Sequence, residues 1–516
     1  MQKLNYKRTI LVGFAFFLIS AFWQAYDATI PVLLTNKFGM SQTWSGLIMA
    51  LDNILAVFML PLFGSLSDKS RSRFGKRTPF ITIGTVLAAV LLIALSFVDN
   101  FQLKQMREVA TIDDPAALTI IYETQGDKTL KTPEGETFVL SDKFTLEEFT
   151  EITCEVEKDG KMVANENYTK YVEPAREARV AEITAQNPSS LIFFIGLLLL
   201  LLISMSLFRS PAVALMPDIT IKPLRSKGNA IINLMGTAGG ILVLVFGIVF
   251  AISKKRNALM PYTTYYAIIA ALMLAALIIF LLTVREKKWS HEMQEDSIRL
   301  GIEEATDDTS KKRGLTKSET LSLILILASI ALWYFGYNAV TSKYSIYAPK
   351  VLAKDYSTTM LLAQAAAIVA YLPAGIVASK IGRKKTILGG VVMLTTAFGV
   401  AAFLRADSPS MLMNAMFMLA GIAWATINVN SFPMVVEMCS GSNIGKYTGY
   451  YYTASMAAQI ATPVLSGLLM DKISFTALFP YAAICVALAF VTMFFVRHGD
   501  AKIVAKKGLE ALDIDD

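Results

Sequence analysis

Twelve apolar runs of about 20 residues each constrain this chain more than any other feature. They lie at approximately 10–34, 44–66, 79–99, 190–216, 229–252, 262–283, 319–341, 358–379, 385–405, 410–436, 447–469 and 475–497. A helix that rises about 1.5 Å per residue crosses the hydrocarbon layer with runs of that length. The chain has 516 residues, of which 54% are hydrophobic and only 17% charged. Soluble domains carry about 25% charge. A soluble core cannot hide that much apolar surface, so the runs read as transmembrane helices. The run from Ile10 to Leu34 is too long for a signal peptide, and no small-residue cleavage site follows it. Two His and three Cys, the latter without CxxC spacing, leave little for metal or thiol chemistry. No HExxH, GxSxG or Walker element occurs. We therefore expect neither an enzyme nor a cofactor.

Lys and Arg sort by side, as the positive-inside rule requires. Basic residues crowd the loops at 69–77, 222–227, 285–317 and 380–385, and thin out in the intervening short loops. The bias places both termini in the cytoplasm, and we expect a plasma-membrane protein. Residues 101–189 break the pattern. They are polar and hold 18 acidic and 10 basic residues, a net of −8 in a chain of net +7. Long loops translocate regardless of charge, so an external placement is compatible with this segment. Leu118–Tyr122, Glu136–Leu140 and Ile152–Val156 have strand-like composition, and Pro174–Ala185 looks helical. A small α+β module and a partly disordered insertion both fit. The expected organisation is 1–100 with helices one to three, 101–189 as the insertion, and 190–283 with helices four to six. A cytoplasmic linker follows at 284–318, then helices seven to twelve at 319–497 and a cytoplasmic tail at 498–516.

One motif recurs six helices apart. Gly64-Ser-Leu-Ser-Asp68-Lys follows helix two, with Arg73 and Gly75-Lys76-Arg77 behind it. Gly375-Ile-Val-Ala-Ser-Lys-Ile-Gly382-Arg383 follows helix eight. A looser pair, Pro211 to Met216 and Pro433 to Met438, ends helices four and ten. Such repeats are expected of two six-helix halves related by duplication. Glycine lets helices approach closely. Asp68 is placed to accept charge-assisted hydrogen bonds from loop arginines, and Asp218 and Glu437 to pair with Arg77 and Arg383. We read these residues as a gate motif; a plain positive-inside loop with glycine turns is the bland alternative.

Twelve helices in two halves with this loop resemble the major facilitator superfamily. The stretch Ser67–Ile81, Ser-Asp-Lys-Ser-Arg-Ser-Arg-Phe-Gly-Lys-Arg-Thr-Pro-Phe-Ile, resembles the signature of sucrose/proton symporters. It is also similar to that of the glycoside–pentoside–hexuronide:cation symporters. The resemblance implies an all-α membrane fold and symport of a sugar by alternating access. Two departures limit what carries over. Val213 stands where the sucrose symporters have Arg, with Arg209 four residues earlier. Ala56 and Leu60 stand where the melibiose permease carries carboxylates.

An ionisable group inside a span is costly and is a functional candidate by default. Asp27 and Asp52 fall at similar depths in helices one and two. Two close carboxylates, or one in an apolar cavity, bind and release a proton nearer neutral pH. We take both as cation-coupling candidates, with a proton as the expected cation and Na+ as the alternative. Capping or structural pairing is the competing reading. Arg209 either recognises substrate or reaches the inner interface. Sugar sites use aromatic plates and amides. Trp23, Gln24 and Tyr26 on helix one, Asn53 on helix two and Asn233 on helix five fit that list. So do Trp333, Tyr334, Tyr337 and Asn338 on helix seven, Gln364 on helix eight, Trp424, Asn428 and Asn430 on helix ten, and Gln459 on helix eleven. Interfacial aromatic belts explain the rings equally well, and helix–helix contacts explain some amides. The leading expectation is a monomeric, proton-coupled importer of a glycoside or small oligosaccharide, with the lipid bilayer and a small-molecule substrate as partners and no nucleic acid. An exporter of apolar or cationic compounds and a transporter-like sensor stay open.

Overall fold

A computed structural model describes residues 4–158, 161–221, 225–299, 316–436, 438 and 444–499. Twelve long helices dominate it. The first six are α1 (Tyr6–Asn36), α2 (Gln42–Asp68), α3 (Thr78–Gln105), α8 (Ser189–Ile219), α9 (Arg225–Val249) and α10 (Thr263–Thr283). The second six are α12 (Lys317–Val351), α13 (Tyr356–Ile381), α14 (Arg383–Ala401), α15 (Ser410–Val436), α16 (Ile444–Lys472) and α17 (Leu478–Phe494). Eleven of the described helices are long and apolar enough to cross a membrane, and α13 is the remaining one. Helices satisfy their backbone groups internally, which a hydrocarbon environment demands. Phe58, Leu62, Val90, Leu200, Ile278, Leu282 and Val369 are exposed on the bundle exterior. In water such a surface would aggregate; against lipid tails it is matched.

The packing repeats itself. In the first half α1 packs on α9 and α10, α3 on α8 and α10, and α2 on α8. In the second, α12 packs on α16 and α17, α14 on α15 and α17, and α13 on α15. Each pair maps onto its counterpart six membrane helices later, the pattern of a duplicated bundle. The halves meet through α2 with α16, α9 with α13, and α1 with α12.

The segment after α3 is an ordered module. It contains α4 (Pro115–Gln125), β1 (Leu130–Lys131), β2 (Thr137–Phe138), α5 (Leu140–Lys143), α6 (Leu146–Thr150), β3 (Glu155–Lys158), β4 (Lys161–Ala164) and α7 (Glu173–Gln186). Strands β1 and β2 form one antiparallel hairpin, β3 and β4 another. Leu118–Tyr122, expected as a strand, is helical instead. The Asp114 side chain caps Ala116 N at 3.1 Å, Pro115 opens the first turn, and Leu118 and Ile121 bury one common face. Of the expected strand Glu136–Leu140, only Thr137–Phe138 pairs, because Leu140 starts α5. The third begins at Glu155 rather than Ile152, and the helix at 174–185 is α7. The module has its own core of Leu118, Ile121, Phe138, Phe149, Tyr168 and Val172, which extends to Leu259 of the α9–α10 connection. Cys154 is buried there with its thiol on Asp113 Oδ2 at 3.0 Å; burial first, then Asp113, pushes the thiol up to about 12.

The linker also holds a helix, α11 (Glu286–Arg299). It lies against the end of the bundle away from the module. Glu286 accepts from Arg77 N and Thr78 N, both at 2.8 Å, and from Thr78 Oγ1 at 2.7 Å, capping α3. Arg8 pairs with Glu292 at 2.6 Å and lies over the Trp289 ring.

Candidate functional site

A cavity of about 210 Å³ lies between the halves. Its walls are Trp23, Tyr26 and Asp27 from α1; Met49, Asp52 and Asn53 from α2; Arg209 from α8; Asn338, Thr341 and Ser342 from α12; and Gln459 and Pro463 from α16. Both candidate carboxylates thus face one space, together with the arginine. The Asn53 amide donates to Asp52 Oδ1 at 2.8 Å. The Arg209 guanidinium lies 5.5 Å from the Trp23 ring centroid, so it points into the bundle rather than to the interface. Trp23 is wedged edge-on between Phe22 and Tyr26, with ring centroids at 5.2 and 5.3 Å.

Three polar atoms on this wall have no partner: Trp23 Nε1, Tyr26 Oη and Asn338 Nδ2. Buried polar groups are normally hydrogen-bonded, and an orphan costs about 1–3 kcal/mol. All three atoms are covered rather than open to the cavity, so they stand behind its lining.

Other expected residues are held elsewhere. Gln24 donates to Tyr356 Oη at 3.0 Å and accepts from Gln364 Nε2 at 2.6 Å, so these two amides tie α1 to α13 instead of lining the cavity. Tyr337 and Trp424 stack on each other at 3.6 Å and 3°, with Tyr334 edge-on to Trp424. Each ring gives one face to the other, and neither lines this cavity. Asn428 is half-buried, and its side chain hydrogen-bonds with Tyr371 of α13. Asn233 is exposed and gives its carbonyl to Thr237. Trp333 is buried in the core, and Asn430 donates to Thr426 O.

The gate motif converges on one guanidinium. Arg77 donates from Nε to Asp218 Oδ2 at 2.8 Å, from Nη2 to Asp68, and from Nη1 to Ser67 and to Gly64 O. Asp68 and Asp218 therefore share Arg77. Gly75 adopts φ +121°, and a Cβ there would collide with Glu286. Lys76 is exposed, and Arg73 lies over the Phe74 ring. In the second copy, Gly382 takes φ +95° and Arg383 reaches Pro433 O at 3.5 Å. Gly64 faces Ser210, as close helix approach requires, but Gly375 faces open space and mediates no such approach. Glu437 lies outside the described residues.

The bonds described between the halves run from mid-bundle to the end that carries the module. Beyond the Gln24–Gln364 pair, Asp471 of α16 accepts from Gln42 N at 2.8 Å and from Thr43 N at 2.7 Å, capping α2 across the interface. The Lys343 ammonium, fully buried, donates to Gln42 O at 2.7 Å. Lys343 is interior because α12 continues to Val351, past the apolar run. Gly46 sits against Pro463 O and Gly467 against Gln42 O, contacts that admit no side chain. The bundle is closed at this end. Thr341 and Ser342 escape a sequence reading because Thr-Ser-Lys-Tyr-Ser after Val340 has loop composition, and Met49 because an apolar side chain in an apolar run carries no signal.

Residues 351–512 match the family model described as Major Facilitator Superfamily, and residues 11–106 match one described as MFS/sugar transport protein. Two proteins described as MFS-type transporter ppzB are similar to part of this chain. That of Metarhizium rileyi (strain RCEF 4871) is 28% identical over 141 residues, 27% of this chain and 29% of its own. That of Metarhizium majus (strain ARSEF 297) is 29% identical over 141 residues, 27% of this chain and 30% of its own. The match thus spans less than a third of these curated relatives. Among solved structures, the inward-open xylose transporter XylE from E. coli aligns with a TM-score of 0.55 at 14% identity, over 98% of this chain and 100% of that one. An inward-facing bacterial homologue of the iron transporter ferroportin aligns with a TM-score of 0.57 at 11% identity, over 95% and 99%. At these identities the likeness is one of fold. Two family models at the two ends of the chain, joined to a duplicated twelve-helix bundle, identify the chain as a member of the major facilitator superfamily.

Proposed function

We propose that this protein is a secondary transporter that moves a glycoside or small oligosaccharide together with protons by alternating access. The observation that carries this reading is the cavity wall. It carries Asn53, Arg209, Thr341, Ser342 and Gln459 beside the carboxylates of Asp27 and Asp52. A guest rich in hydroxyls supplies donors and acceptors to these groups, whereas an apolar guest leaves them unpaired. Asp27 and Asp52 share the space with one guanidinium, so one carboxylate has no cation of its own in the lining. A proton fills that role and travels with the substrate.

The distribution of Lys and Arg supports cytoplasmic termini in a plasma membrane, with the module outside. In that orientation the closed end is the outer one and this is an inward-facing state. The gate motif then lies on the cytoplasmic face, where Arg77, Asp68 and Asp218 bias which state is populated. The test is uptake of a panel of labelled disaccharides into proteoliposomes under an imposed inward proton gradient, repeated with a Na+ gradient. Accumulation driven by the proton gradient supports the reading. Accumulation of apolar cations in place of sugars supports export chemistry and overturns it.

A further inference from the structure

The module belongs to the first half by its anchoring. Gln102 of α3 donates to Thr184 Oγ1 of α7 at 3.1 Å, and Glu173 of α7 accepts from Lys255 of the α9–α10 connection at 2.7 Å. Leu259 completes its core. It nevertheless touches the second half. Glu177 of α7 pairs with Lys350 at the end of α12. Phe475 N, in the α16–α17 connection, donates to Pro133 O in the β1–β2 turn at 2.8 Å. Gly135 of that turn, at φ +93°, presses on Ile473 O so closely that a Cβ has no room. The Lys350 ammonium also lies 5.2 Å from the Phe475 ring centroid, which gathers the contacts into one patch.

The geometry points to the module as a latch that holds the two halves together at this end, with the Glu177–Lys350 pair as its catch. This inference rests on the alternating-access reading above. Opening at this end must separate α7 from α12 and the β1–β2 turn from residues 473–475. The Lys350 side chain is only 7% exposed and Glu177 23%. A cation so enclosed needs its partner, and removing or reversing the partner penalises the closed state. The other charges beside the pair are Glu173 and Lys255, which already satisfy each other. Neither Glu177 nor Lys350 lines the substrate cavity, so the latch sets the balance between states without touching it.

The experiment is double electron–electron resonance on the full-length protein in detergent, without substrate. Spin labels go at Glu123→Cys on α4 and Asp407→Cys between α14 and α15, both exposed, with Cys439 and Cys485 changed to Ser. The unsubstituted pair should give a predominantly short distance. Glu177→Lys and Lys350→Glu should each raise the long-distance fraction about tenfold, since like charges meet in an enclosed contact. The double exchange E177K/K350E should return the distribution to its starting form, and Glu147→Lys, exposed on α6, should leave it unchanged. Single reversals that keep the starting distribution, or a double exchange that fails to restore it, overturn the latch. Because no substrate is present, the outcome does not depend on which solute is carried, and failure of sugar uptake leaves this readout intact.

Discussion

Tyr26 and Arg77 stand at opposite poles of what a buried polar side chain does here. The Tyr26 hydroxyl has no partner in the folded chain. Tyr26→Phe should therefore leave thermal stability unchanged or slightly higher and, because the hydroxyl is covered, change substrate binding by less than about 3-fold. Titration of Trp fluorescence with substrate, alongside a melting curve, separates the two effects. Arg77 is the reverse case. It is buried and bonds Asp68, Asp218, Ser67 and Gly64 O. Arg77→Ala strands the half-exposed Asp218 and opens the loop, so it should destabilise the first half by about 2–4 kcal/mol. Fluorescence-detected unfolding checks this. A melting temperature equal to the parent's would mean that the network carries no stability. Asp68, mostly exposed and bonded only through Arg77, is the softer lesion. Asp68→Asn should therefore shift the melting temperature less than Arg77→Ala does.

Among the elements, α11 ties sequence regions that no local pattern connects. Glu286 caps the start of α3 through three donors, Arg77 N, Thr78 N and Thr78 Oγ1. Glu286→Ala should cost about 1–2 kcal/mol, as loss of a charged N-cap does, and should be partly recovered by Glu286→Gln. Hydrogen exchange at the α3 N-terminus is the sensitive readout; unchanged protection there would sink the cap. The twelve membrane helices were legible because apolar length is a local property of the chain. The end of α12 was not. Its continuation from 341 to Val351 carries Ser342, Lys343 and Ser345, which read as a loop until α2 and Gln42 are packed against them. Residues 118–122 misled for a related reason. Five β-prone residues are too short a window to distinguish strand from helix, and Asp114 with Pro115 decides the matter from outside it. In the site, Asp27, Asp52 and Arg209 were legible because a charge in an apolar run stands out. Gln24 and Gln364 stood out equally but bond each other, because a sequence marks a buried amide without naming its partner.

At the scale of the whole molecule, the duplicated packing leaves one interface between halves, and the described bonds across it lie from mid-bundle toward the module. Alternating access requires that these bonds break while new ones form near Gly64 and Gly375. The orientation is open to direct test. Protease added outside intact cells should cut within 101–189, and cutting only in inverted vesicles would place the module inside and reverse the assignment of states. The central claim is that the cavity between α1, α2, α8, α12 and α16 carries a hydroxyl-rich solute with a proton. The most direct measurement is the pH of a weakly buffered suspension of proteoliposomes, with no imposed gradient, when a transported disaccharide is added. Prompt alkalinisation of the medium is expected, abolished by Asp52→Asn while solute exchange across the membrane continues. Solute entry with no pH change in the parent protein, or an undiminished proton signal in Asp52→Asn, would contradict it.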